Sequence, residues 1–261
     1  MTHRQPPLSK VPQVTALFWV IKVLTTGMGE TTSDYLNRRY DPALVVPALG
    51  LLFAAALAAQ FATRRYVTSV YWFAIVMVSV FGTVVADAVH VVLGVPYAVS
   101  TTVFALALAA VFGLWYATER TLSIHSIVTR RRELFYWAAV LVTFALGTAA
   151  GDLTATTLHL GYLASGVLFA VVIAVPALAH WRLRMPAVLA FWFAYVTTRP
   201  LGASFADWLG VPADRGGVDI GTGPISLILG VLIVGLVALL RAQESRAVLR
   251  PAFDTTATEL E

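Results

Sequence analysis

Long apolar runs separated by short polar breaks dominate the chain. The runs fall at residues 14–34, 43–62, 67–93, 97–117, 134–158, 162–179, 186–209 and 224–240. Each is close to the ~20 residues that a helix needs to cross a hydrocarbon core. The pattern therefore predicts an all-α polytopic membrane protein of about eight transmembrane helices, the third and fifth long enough to be tilted or broken. Polar groups are shared unevenly among the runs. The odd-numbered runs each contain acids and the even-numbered ones none, so the odd helices are expected to carry chemistry and the even ones lipid contact.

The odd runs also share a motif. Trp19 is followed by Gly29 and Asp34, Trp72 by Gly82 and Asp87, Trp137 by Gly147 and Asp152, and Trp192 by Gly202 and Asp207. The spacing is Trp-x9-Gly-x4-Asp each time, with no gaps, which marks four tandem copies of a two-helix unit. With two spans per unit, every copy enters the membrane in the same direction. The repeats are then parallel, related by an axis along the membrane normal, and four equivalent helices can bring four aspartates toward that axis. A pair of two-unit halves would give the same sequence. The chain reads as one transmembrane domain over 1–250, with units at about 14–62, 67–117, 134–179 and 186–240, and a polar tail over 251–261 expected to be disordered.

These features resemble a family of bacterial "membrane-anchored" integral membrane proteins of uncharacterised function, made of four tandem repeats with two transmembrane regions and a characteristic tryptophan in each. The resemblance covers about residues 14–240, with Trp19, Trp72, Trp137 and Trp192 at the family's tryptophan. It implies the fold and adds little about activity.

Composition and charge agree with a membrane protein. Of the 261 residues 59% are hydrophobic and 12% charged, against roughly 25% charged in soluble domains. There is no cysteine, which excludes disulfides, thiolate metal sites and Cys nucleophiles. The first run carries Lys22, Glu30 and Asp34 and no cleavage site follows it, so it is read as a retained helix. The net charge of +4 is explained by topology, not by nucleic-acid binding. Arg4, Lys10, Arg64, Arg65, Arg120, Arg130, Arg131, Arg132, Arg182, Arg184, Arg241, Arg246 and Arg250 all fall on one side of eight spans, and only Arg38, Arg39 and Arg215 on the other. The positive-inside rule then predicts a bacterial inner (plasma) membrane protein with both termini cytoplasmic.

Ionisable groups inside a span cost several kcal/mol unless they face the bundle interior, a partner or water. Here they are Glu30, Asp34, Asp87, Asp152 and Asp207, with Lys22 and Arg199 as internal counter-ions. Lys22, Thr26, Glu30 and Asp34 step along one helix face, as do Arg199, Ala203 and Asp207. The middle units lack a cation there and have His90 three after Asp87, and His159 seven after Asp152. Carboxylate and imidazole donors suit a divalent ion such as Mn²⁺ or Mg²⁺, with Asp87, His90, Asp152 and His159 as candidate ligands. They equally suit a proton relay. The plainer reading is helix association through Thr25, Thr31, Ser79, Thr83 and Thr148. The four glycines read as close-packing sites and the four tryptophans as interfacial anchors.

The expected function is transport or permeation of a small solute, first a divalent metal cation, with proton coupling as an option. The alternative is a membrane scaffold or sensor whose acids are structural, and a third class is an intramembrane enzyme, for which no nucleophile is positioned. No resident cofactor is expected, since the metal would be a solute. The partners are the bilayer and a small solute or ion.

Overall fold

The structure, a computed structural model, describes residues 9–258, and the side chains within them apart from Val91 and 246–258. Arg4, the side chains of Arg246 and Arg250, and residues 259–261 of the tail lie outside the described residues. Among the described residues the chain is all-helical. It comprises α1 (Ala16–Arg39), α2 (Pro42–Ala62), α3 (Thr68–Val91), α4 (Tyr97–Glu119), α5 (Arg130–Asp152), α6 (Tyr162–Leu183), α7 (Ala187–Gly210) and α8 (Thr222–Thr258). α8 runs on to Thr258, into the segment read from the sequence as a polar tail. Pro251 forfeits one intrahelical bond without ending the helix.

Local chemistry sets several boundaries. The Thr15 hydroxyl accepts from Phe18 N and starts α1. Asp41 caps α2 through Ala43 N, with Pro42 in the first turn where its missing N–H costs nothing. Thr129 caps α5 through Arg132 N. At the far end of α5 the last turn widens into a π-turn over Leu153–Thr157.

The inner and outer helices separate by repeat position. α1, α3, α5 and α7 form a closed ring, each packed on its two ring neighbours, α7 meeting α1. Each outer helix leans chiefly on the inner helix that follows it: α2 on α3, α4 on α5, α6 on α7 and α8 back on α1. The packing unit is thus offset by one helix from the sequence repeat, and the last helix closes the ring on the first.

Burial follows the same division. The apolar windows of α2, α4 and α6 are 17% buried and that of α8 11%, against 56% for α3 and 61% for α5. The outer helices present the rest to lipid. Among the described residues, six helices are long and apolar enough to cross a membrane; the exceptions are α1 and α7, which hold Lys22 and Arg199. These two pack on each other, so their charges face protein and not hydrocarbon.

The motif tryptophans are not interfacial anchors. Trp72, Trp137 and Trp192 are buried and Trp19 is half-buried, inside an aromatic layer at the end of the ring where α1 begins. Each is preceded by another aromatic residue (Phe18, Tyr71, Tyr136, Phe191), and that residue meets the tryptophan of the next unit. The ring centroids are 5.7 Å apart for Phe18–Trp72, 5.8 Å for Tyr71–Trp137, 6.1 Å for Tyr136–Trp192 and 5.6 Å for Phe191–Trp19. The last pair closes the circle. A single sequence does not distinguish a tryptophan at the edge of a span from one inside a collar, because both lie at the same depth.

A short N-terminal strap runs across this end. Lys10 N donates to Ile127 O and Tyr66 N to Ser9 O, while Val11 is buried. The Lys10 ammonium pairs with Glu133 at 2.5 Å, both side chains buried, and Gln60 donates to the other Glu133 oxygen at 3.1 Å.

Candidate functional site

The repeat motif is a set of layers down the ring. Counting back from each Asp, the residues at minus eight are Thr26, Ser79, Phe144 and Arg199, and those at minus four are Glu30, Thr83, Thr148 and Ala203. The four motif glycines lie at minus five. A Cβ on Gly29 would collide with Ser79, one on Gly82 with Phe144, one on Gly147 with Arg199 and one on Gly202 with Thr26. Each glycine therefore admits the minus-eight side chain of the next unit, and again the fourth points back to the first. This is close helix packing through small residues, the usual way for membrane helices to approach.

One of these side chains is long and charged. The Arg199 stem crosses α5 at Gly147, and its guanidinium reaches the other three inner helices. It donates to Glu30 Oε2 at 2.7 Å, to Thr148 Oγ1 at 2.7 Å, to Thr83 Oγ1, and to the Thr26 carbonyl at 3.4 Å. Arg199 and Glu30 are both buried. Nη2 lies within reach of three of these acceptors, which share its two N–H groups, while Nη1 serves the Thr26 carbonyl and Nε has no partner among the described residues. Arg199 therefore does not serve Asp207 on its own helix; its carboxylate partner is Glu30 of the first unit.

Lys22 is the second buried cation, and no carboxylate meets it. Its ammonium lies 4.3 Å from the centroid of the Phe144 ring and 4.4 Å from that of Tyr195, with no hydrogen-bond partner among the described residues. Aromatic faces attract a desolvated cation. Lys22 thus sits between the aromatic collar and the Arg199 layer.

At the opposite end of the ring lie the four aspartates. Asp34 pairs with Arg38 of its own helix at 2.9 Å. Asp87 accepts from two α1 residues, Ser33 Oγ at 2.6 Å and Asn37 Nδ2 at 3.2 Å. The carboxyls of Asp152 and Asp207 accept no hydrogen bond among the described residues. Asp87, Asp152 and Asp207 each lie within electrostatic range of Glu30 and of at least one other acid of the set. The five carboxylates thus occupy one half of the ring, without converging on a single ion-sized site among the described residues.

The histidines do not join it. His90 Nδ1 bonds to the Val95 carbonyl at 2.9 Å, Nε2 lies 3.3 Å from Ser100 Oγ, and the ring packs on Tyr97. It is turned to the α3–α4 corner. His159 is exposed, with φ 57°, beyond the π-turn. Helical spacing from Asp152 stops at that turn, so a seven-residue separation no longer means a shared face. Among the described residues, no three His, Asp or Glu side chains are grouped so as to hold a metal ion, and the four-residue ligand set Asp87, His90, Asp152, His159 does not form.

Sequence reasoning passed over Ser33, Asn37, Tyr195 and the residue before each tryptophan. The last had a signal, an aromatic residue at the same position in all four copies. Asn37 had none, because the same register holds His90, Ala155 and Gly210 in the other units and repeats no amide.

The comparison with known families bears on the repeats. A family model described as Repeat of Unknown Function (DUF347) matches four times in tandem, at residues 17–66, 70–121, 135–185 and 190–246. The chain belongs to this repeat family. Each matched repeat takes in one inner and one outer helix, so the family unit is the sequence unit and not the packing unit. No curated protein and no solved structure gives a match.

Proposed function

We propose that this protein carries a small cation across the membrane along the axis of its inner ring, in exchange for protons. The observation that supports this reading is that four equivalent helices each place one aspartate at the same end of the ring, within electrostatic range of the buried Glu30 that pairs with Arg199. Four acids in a bundle interior are costly as mere fasteners, since interhelical hydrogen bonds average only about 0.6 kcal/mol. Asp152 and Asp207, whose carboxyls have no hydrogen-bond partner among the described residues, are the groups that would take the cargo first.

Glu30 would receive the ion next by parting from Arg199. The guanidinium keeps Thr83, Thr148 and the Thr26 carbonyl as partners in the meantime. The aromatic collar and Lys22 close the other end in this conformation, so passage requires that end to open in alternation. With the basic end cytoplasmic, the aspartate mouth faces outward. Carboxylate and hydroxyl oxygens suit hard ions, and a divalent metal ion is the first cargo to test; since no ligand cluster is assembled among the described residues, the carboxylates would have to close around it on binding, without His90 or His159.

A second reading has a specific observation in its favour. Arg199 is bonded to all three other inner helices, as a purely structural fastener would be. The deciding experiment uses proteoliposomes with entrapped Mn²⁺- and pH-sensitive dyes. Cation influx with proton efflux, abolished in Asp152→Asn and Asp207→Asn variants that keep the wild-type melting temperature, supports transport. Absence of flux for divalent and organic cations, with the same variants destabilised, selects the scaffold.

A further inference from the structure

We propose that the groove between α3 and α8, floored by α1, holds one acyl chain of an anionic phospholipid whose headgroup rests on Arg241. The groove measures about 670 Å³ and is lined along its length by Trp72, Val76, Gly230, Val234 and Val237. That is within the ~300–1,000 Å³ of small-molecule sites. Its lining is apolar except at one end, where Arg241 stands with the hydroxyls of Ser69 and Ser245.

The position of Arg241 fixes the depth of this site. α8 has no charged residue from Thr222 to Leu240, so Arg241 marks where the helix leaves the hydrocarbon. From Arg241 back to Gly230 is eleven residues, about 16 Å of helix at ~1.5 Å per residue. One leaflet of a ~30 Å hydrocarbon core is about 15 Å deep. The groove therefore spans one leaflet from its headgroup level to the mid-plane, with a guanidinium and two hydroxyls where the phosphate lies. A second copy of the chain would need an apolar ridge on its own surface ending in an acid at the height of Arg241. On α8, the helix beside the groove, the first acid is Glu244, one turn beyond Arg241, and its carboxylate accepts from Thr68 of its own chain.

The pseudo-four-fold symmetry gives independent support. The equivalent seam between α2 and α5 is a groove of about 370 Å³ with Arg130 in its lining. The seam of α6, α7 and α1 is a groove of about 380 Å³ with His180 in its lining. The fourth seam is filled by the α4–α5 loop, whose Leu122 carbonyl accepts from Trp192 Nε1 at 2.9 Å. Two of the three open seams pair an apolar lining with an arginine at the same end of the molecule, the third has only His180, whose Nδ1 is engaged by the Met185 carbonyl, and the fourth seam carries the chain's own loop.

The test is native mass spectrometry of the full chain released from vesicles of phosphatidylglycerol or of phosphatidylcholine, with melting temperatures recorded in parallel. Wild-type protein should retain phosphatidylglycerol over phosphatidylcholine by about fivefold, the effect of one arginine near an anionic surface. Arg241→Gln should erase that preference. Gly230→Leu, which places a side chain in the slot, should remove the adduct of both lipids, and Val234→Phe serves the same purpose if the first variant fails to fold. Equal retention of both lipids, unchanged by Arg241→Gln, would mean ordinary boundary lipid and overturn the proposal. A wild-type dimer that Gly230→Leu converts to monomer would overturn it too, by making the groove a contact between copies.

Discussion

Glu30 of the first repeat and Arg199 of the fourth meet at 2.7 Å inside the ring, although 169 residues separate them. The pair exists because the ring closes. α7 packs on α1, α8 packs on α1, and the glycine and aromatic layers each return from the fourth unit to the first. The two units carrying cations are the ends of the array in sequence and neighbours in space.

Removing one member of that pair should be costly. Glu30→Gln leaves a buried guanidinium without its carboxylate, and breaking a buried ion pair costs about 3–5 kcal/mol. Unfolding in detergent should show that loss. The double variant Glu30→Gln, Arg199→Met should recover part of it, since no unpaired charge remains; equal loss in both would show that the charges do not interact.

The glycine layer gives a sharper contrast. Gly147→Ala places a methyl against the Arg199 stem and should destabilise by about 1–3 kcal/mol, the usual cost of overpacking. Gly113→Ala on α4 meets nothing within 4 Å and should stay within about 0.5 kcal/mol of wild type. Thermal unfolding of the two purified variants checks the difference.

Ring closure makes the two halves interdependent. A chain split in the α4–α5 loop separates α1 and Glu30 from α7, α8 and Arg199. Each half expressed alone should be degraded in the membrane, and the two co-expressed should co-purify. Independent accumulation of either half would argue against a single closed ring.

The strap at the basic end is held by one buried pair. Glu133→Gln removes the carboxylate from Lys10 and weakens the bond from Gln60. Limited proteolysis should then cut within residues 9–13 faster than in the wild type, with the transmembrane core intact by melting temperature.

If the protein transports a divalent cation, its dependence on individual side chains should follow the geometry. His90→Gln and His159→Gln should leave flux in proteoliposomes unchanged. Asp152→Asn and Asp207→Asn should each abolish flux at cation concentrations that saturate the wild type. Sensitivity to the histidine variants would restore them as ligands.

By itself the sequence determined the number of helices, their division into an inner and an outer class, and the register of the repeat. These follow from hydrophobic run length and from the cost of burying acids, both local properties of the chain. The tertiary structure decided which residues of different repeats meet. Arg199 looks like a partner for Asp207 when helical spacing alone is read, and His159 like a partner for Asp152. A closed ring puts Arg199 beside Glu30 instead, and a π-turn after Asp152 ends the spacing rule before His159. The tryptophans show the same limit. Their depth in the membrane is written in the run boundaries. Whether they face lipid or the next helix depends on the angle of each helix about its axis, which is set by the glycine contacts between units and by no single unit alone.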